Sequence, residues 1–122
     1  MLETYSLRSF ISTTDLDRSK QFYSEILGLV ILDENKYIVE LDSDGSNLTI
    51  SLVKIFTPQP FTVLGWVVLE IEEVMESLKE SGIEFINFEG IKQNELGICL
   101  SENGTKTAWF TDPDGNILSL TE

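Results

Sequence analysis

The sequence predicts an α+β fold in which one order of elements, strand, helix and three strands, is written twice. Three observations carry this. Short stretches of alternating apolar and polar residues mark strands, whereas two stretches repeat at helical spacing and each ends at a glycine, Gly28 and Gly82. Turn residues separate the strands at Asp42–Asn47, Asn103-Gly104 and Asp112-Pro113-Asp114-Gly115. Between the two copies lies Lys54–Phe61, with Pro58 and Pro60, read as a linker. The boundaries expected are module one over about 4–53, linker 54–61 and module two over about 62–122, all within one unit of 122 residues.

In chain order, Tyr5 to Thr13 reads as a strand with Leu7, Ser9 and Ile11 on one face and Arg8, Phe10 and Ser12 on the other. Asp15 is a good N-cap. Leu16, Ser19, Tyr23, Ile26 and Leu27 then recur at helical spacing. Leu29–Leu32, Tyr37–Leu41 and Leu48–Val53 are the next strands. In the last of these, Leu48, Ile50 and Leu52 face one way and Thr49, Ser51 and Val53 the other. In the second half, Val63–Ile71 is a strand with Val67, Leu69 and Ile71 toward the core and Trp66, Val68 and Glu70 opposite. Glu72–Ser81 is a helix burying Val74, Leu78 and Met75. Ile83–Phe88 is a short strand and Gly90–Gly97 is irregular. Ile98–Ser101 and Lys106–Thr111 form a hairpin through Asn103-Gly104. A second hairpin closes the chain. Shifting the first strand and helix by 58 positions lays Arg8 on Trp66 and Asp15 on Glu73.

Composition excludes several functions. Eight basic residues against 21 acidic ones give a net charge of −13. That surface disfavours nucleic acid and anionic membranes, and it favours solubility or a cationic ligand. No apolar run reaches the roughly 18 residues of a membrane span, and Met1-Leu2-Glu3-Thr4 lacks the pattern of a signal peptide. A single cysteine, Cys99, forms no internal disulfide. Together these lead to a cytoplasmic expectation. The chain has no histidine. It therefore lacks the usual neutral-pH base, the commonest transition-metal ligand and any Ser-His or Cys-His pair.

Two motifs add a family. Trp109-Phe110-Thr111-Asp112-Pro113-Asp114-Gly115-Asn116, followed by Leu118 and Leu120, resembles the closing hairpin of the vicinal oxygen chelate superfamily of glyoxalase, bleomycin-resistance and extradiol dioxygenase proteins. Asp15-Leu16-Asp17-Arg18-Ser19-Lys20-Gln21-Phe22-Tyr23, with Ile26-Leu27-Gly28-Leu29, is similar to that family's first helix and the strand after it. The resemblance implies two βαβββ modules, an open barrel-like cup with helices outside, and often a homodimer. In metal-dependent relatives four cup-facing His, Glu or Gln side chains hold a divalent ion. By register those positions are Arg8, Ser51, Trp66 and Ser119 here. None is a plausible ligand: a guanidinium has no lone pair to give, an indole only donates, and two serines bind a divalent ion feebly.

The expectation is therefore a cup with neither metal nor cofactor, lined by Arg8, Phe10, Ser12, Thr49, Ser51, Trp66, Val68, Glu70 and Ser119, that binds an unidentified small molecule. Glyoxalase I activity is not expected. Arg8 is either a fork for a carboxylate, phosphate or enolate or half of an ion pair with an acid such as Glu70. Trp66 either stacks on a ligand or fills the space that the metal would occupy. The alternative function is an enzyme of this superfamily, of lyase, isomerase or dioxygenase type, that uses Arg8 and a carboxylate in place of the metal. A third reading is a degenerate module kept for its dimer surface.

Overall fold

The computed structural model describes residues 1–122. The chain divides into two units, Met1–Thr57 and Pro58–Glu122. No helix is long and apolar enough to cross a membrane.

The first unit contains β1 (Arg8–Thr13), α1 (Leu16–Gln21), β2 (Val30–Glu34), β3 (Ile38–Ser43) and β4 (Ser46–Leu52). Its sheet has the order β1-β4-β3-β2, with β1 parallel to β4 and the other pairs antiparallel. The second unit repeats this with β5 (Thr62–Val67), α2 (Ile71–Glu80), β6 (Cys99–Leu100), β7 (Lys106–Thr111) and β8 (Ile117–Thr121), in the order β5-β8-β7-β6. In each unit the helix carries the chain from the first strand to the rest of the sheet, and the last strand returns beside the first. The fold is α+β, two four-stranded sheets with a helix in each unit.

Local chemistry explains the helix ends. The Asp15 carboxylate accepts a hydrogen bond from the Arg18 amide at 3.1 Å and so caps α1. The helix then widens into one π-helical turn, Phe22–Ile26, in which the Leu27 amide reaches the Phe22 carbonyl. The Ser24 hydroxyl donates to the Lys20 carbonyl within this stretch, at 2.7 Å. Gly28, at φ 81°, turns the chain out of the helix. One face of the first sheet, Ile11, Thr13, Val39, Leu41, Leu48 and Ile50, is buried together with Phe22 and Tyr23. α1 packs on β3 and β4, and the two rings meet edge-on at 5.1 Å.

In the second unit Ile71, Met75 and Leu78 form the buried stripe of α2, and Ala108, Phe110, Leu118 and Leu120 form the buried face of the sheet. The first amide of α2, on Ile71, donates to the Glu122 side-chain carboxylate at 2.8 Å, which caps this helix.

Four expectations need correction. The first strand starts at Arg8, because Leu2 to Tyr5 forms a turn (Tyr5 amide to Leu2 carbonyl, 3.0 Å), and Leu7 is 88% exposed rather than in the core. Ile83–Phe88 is not a strand. Its one backbone bond to the sheet runs from the Ile86 amide to the Trp109 carbonyl, and its rings split between Phe110 and Trp109, so the backbone follows the packing. The polar turn at Asp42–Asn47 contracts to Asp44-Gly45, both at positive φ, with the Asp42 carboxylate accepting from the Gly45 amide; β4 therefore begins at Ser46.

The fourth correction concerns β5. Its faces are the reverse of those expected. Trp66 stands opposite Leu120 and Leu64 opposite Leu118, on the buried side, whereas Val67 and Leu69 are about nine-tenths exposed. Ile71 is fully buried as expected, but as the first residue of α2. The ladder slips between Thr62 and Leu64. The helix caps, Asp15 and Glu70, lie 55 positions apart rather than 58. An odd difference moves every side chain of a strand to the other face.

Candidate functional site

On the first sheet, cross-strand partners put Arg8 beside Asn47, Phe10 beside Thr49 and Ser12 beside Ser51, all on the face away from the α1 core. Thr49 also pairs with Glu40 of β3, which brings Glu40 onto that face. The Arg8 guanidinium is held there on three sides. Its Nη2 donates to the Glu40 carboxylate at 2.5 Å and to the Thr49 hydroxyl at 3.2 Å, and its Nε donates to Asn47 Oδ1 at 3.4 Å. The Thr49 hydroxyl donates onward to Asn47 Oδ1 at 2.9 Å. The guanidinium also lies 5.8 Å from the centroid of the Phe10 ring, itself two-thirds exposed.

This arrangement leaves Arg8 Nη1 outside the three bonds, beside a carboxylate and an open aromatic face. Such a set offers one free guanidinium nitrogen, an acceptor and apolar area to one polar ligand group. The Arg8 side chain is half exposed, so its pair with Glu40 orients it more than it stabilises the fold.

Glu40 and Asn47 were missed in the sequence, and the carboxylate opposite Arg8 is Glu40 rather than Glu70. The signal was present for Glu40, a charged residue between Val39 and Leu41, both buried. Ser51 lies on the same face as Arg8 but four positions along β4 from its partner, Asn47, roughly 13 Å away at the usual strand rise.

On the second sheet Ser119 stands between Gly65 on β5 and Trp109 on β7. Trp66 points to the other face, for the reason given above. Val68 follows the end of β5, half-buried, with its amide on the Thr121 carbonyl at 2.8 Å. Glu70 is the exposed N-cap residue of α2, and its side chain makes no capping bond.

The position opposite Ser119 has to be glycine. A Cβ on Gly65 would stand 2.4 Å from the Ser119 hydroxyl and 3.3 Å from its carbonyl. Gly65→Ala is expected to cost about 1–2 kcal/mol, as overpacking does. Most of that loss should return when Ser119→Ala is added, since the hydroxyl is the nearer obstacle. Chemical denaturation of the two single variants and the double variant checks this, and additive effects would show that the two side chains do not meet.

There is no histidine, and no group of three or more His, Cys, Asp or Glu side chains is placed to hold an ion. Arg8 lies on the open face of its sheet and Ser119, which is buried, on the face of its sheet away from Phe110 and Leu118, but neither has the donor chemistry of a zinc, nickel or iron ligand. The donors do not fit a divalent metal.

The comparisons agree with the fold. The chain is similar over the whole of both chains to the crystal structure of a glyoxalase family protein from Enterococcus faecalis, with 28% identity and a TM-score of 0.77. A member of the glyoxalase/bleomycin resistance protein/dioxygenase superfamily from Sphaerobacter thermophilus matches with 22% identity over 100% of this chain and 99% of that one, TM-score 0.77. A lactoylglutathione lyase from Agrobacterium tumefaciens matches with 15% identity over 98% of this chain and 93% of that one, TM-score 0.77. At 22% and 15% identity the last two show the fold alone. The comparison with curated proteins returns no match. The sequence profile described as "Glyoxalase/Bleomycin resistance protein/Dioxygenase superfamily" matches residues 7–120, nearly the full length. The chain belongs to that superfamily.

Proposed function

We propose that this superfamily member binds a small organic molecule on the open face of its first sheet, without a divalent metal. The observation that carries the reading is the Arg8 constellation. A guanidinium is held by Glu40, Thr49 and Asn47 and flanked by an exposed Phe10, in a chain with no donor cluster fit for an ion. The ligand that suits it has a compact polar group that both accepts and donates hydrogen bonds, joined to a flat or apolar body for the Phe10 ring. Because Glu40 is already engaged by Arg8, it is poorly placed to act as a free base. That favours binding over the enzymatic alternative.

The test begins with chelator-stripped protein in a thermal-shift titration against Ni, Zn, Mn and Fe(II). No saturable shift is expected. A bound metal at a hundred times its dissociation constant would add about 2.7 kcal/mol to stability, and a shift of that kind would overturn the metal-free reading. The same assay then takes small carboxylates and cationic drugs. A ligand seated on this face should weaken about tenfold or more in Arg8→Gln, the loss of one charge-assisted hydrogen bond. Binding untouched by that variant would move the site elsewhere. Lactate formation from the hemithioacetal of methylglyoxal and glutathione, dependent on added metal, would restore the glyoxalase reading.

A further inference from the structure

We propose that the second unit carries a separate groove, beside α2, for a small monoanion with a short apolar tail. Two cavities adjoin there, of about 340 and 210 Å³, and share Glu72 in the first turn of the helix. Lys92 and Lys106 line the larger and Lys79 the smaller. These are the only basic residues from Pro58 to Glu122, a stretch that holds twelve acidic ones. Three cations scattered among so many carboxylates would be expected to pair with them. Instead all three converge on one groove, and neither Lys92 nor Lys106 is in an ion pair. Lys79 rests 5.8 Å from the centroid of the Phe85 ring.

The groove is preformed. Gln93 ties its wall together, donating to the Ile86 carbonyl at 2.9 Å and the Gly97 carbonyl at 2.7 Å, and accepting from the Phe88 amide at 2.7 Å. Asn94 Oδ1 accepts from the Leu96 and Ile98 amides, each at 2.9 Å. The apolar surface comes from Ile98, buried, and Leu100, two-thirds exposed. The first amide of α2 is spent on Glu122, so the positive potential comes from the lysines and not from the helix end. An anionic head between Lys92 and Lys106, with its tail over Ile98 and Leu100, satisfies the two ammonium groups. The carboxylates of Glu72 and Glu76 beside it disfavour a polyanion.

Carboxylate and phosphate heads share this chemistry, and the experiment separates them. The ¹⁵N-labelled protein is titrated with hexanoate and with the monoanionic phosphodiester hexyl methyl phosphate, with acetate and dimethyl phosphate as tail-free controls. Saturable amide shifts are expected over residues 92–98 and at Lys106, and the tighter probe names the head. K92Q/K106Q should weaken that probe at least tenfold while leaving the rest of the spectrum in place. The proposal fails if neither probe saturates, if the shifts fall elsewhere, if the double variant binds as before, or if the controls bind as tightly as the tailed probes.

Discussion

Asp112→Ala should lower folding stability by about 3 kcal/mol. Asp112 is 4% exposed and occupies the turn between β7 and β8. One carboxylate oxygen accepts from the backbone amides of Asp114 and Asn116, at 3.0 and 2.9 Å; the other accepts from the Asn116 side-chain amide at 2.8 Å. Asn116 is itself buried, 3% exposed, so its donors have no ready access to water. Hydrogen bonds to a charged acceptor contribute about 1.5–3 kcal/mol each, and a buried donor left alone costs about 1–3 kcal/mol. Partial relaxation of the turn keeps the sum near the value stated. At roughly 3–4 °C per kcal/mol for a chain of this length, the midpoint of thermal unfolding should fall by roughly 10 °C. Asp112→Asn keeps one acceptor but sets an amide donor against the Asn116 amide, and should cost about half as much. Urea unfolding with an unchanged m-value is the check. A loss below about 1 kcal/mol in Asp112→Ala would mean that the backbone bonds from the Asp112 amide to the Asn116 carbonyl and from the Gly115 amide to the Asp112 carbonyl hold the turn unaided.

That turn was among the most legible features of the sequence, because its chemistry is local. Asp, Pro and Gly at fixed offsets constrain a few dihedrals whatever surrounds them. The same holds for the Asp15 cap and for Gly28 and Gly82, both at positive φ after their helices. The open face of the first sheet was readable too, since Arg8, Ser12, Thr49 and Ser51 are polar where Ile11, Leu48 and Ile50 are not. The second sheet was harder. Leu64, Trp66 and Val68 are apolar, and so are Val67, Leu69 and Ile71, so period-two alternation could not choose between the faces. The choice was made by a slip at Thr62–Leu64 and a helix starting at Ile71, both set by pairing with distant residues. Glu40 was lost for a different reason. A single charged residue in a strand shows that a face is polar, but not which cation stands across from it. Only the registers of β3 on β4 and β4 on β1 bring Glu40 to Arg8.

The parity of the second sheet can be decided by one pair of substitutions. Phe110 is 1% exposed and its ring meets Phe85 edge-on at 5.7 Å. Trp109, its neighbour on the opposite face, is half-buried and meets Phe88 edge-on at 5.3 Å. Truncating a fully buried aromatic removes its transfer free energy and leaves a cavity, so Phe110→Ala should cost about 4 kcal/mol. Trp109 is the larger side chain, but part of it already faces water. Its loss should cost about 2 kcal/mol, from reduced apolar burial and one aromatic contact. The order is the informative part, since size alone predicts the opposite. Phe110 pairs across the ladder with Leu118, and Trp109 with Ser119. If Phe110→Ala proves much the more damaging in chemical denaturation, Leu118, Leu120 and Trp66 share one face with Phe110, and Ser119 and Val67 belong to the opposite one. If Trp109→Ala is the worse, the strands are one residue out of step with the ladder described. Trp66 would then return to Ser119's face, and the four positions weighed against a metal would again be Arg8, Ser51, Trp66 and Ser119. The measurement therefore bears on function as well as on packing, because which side chains share Ser119's face is decided by the register of this sheet.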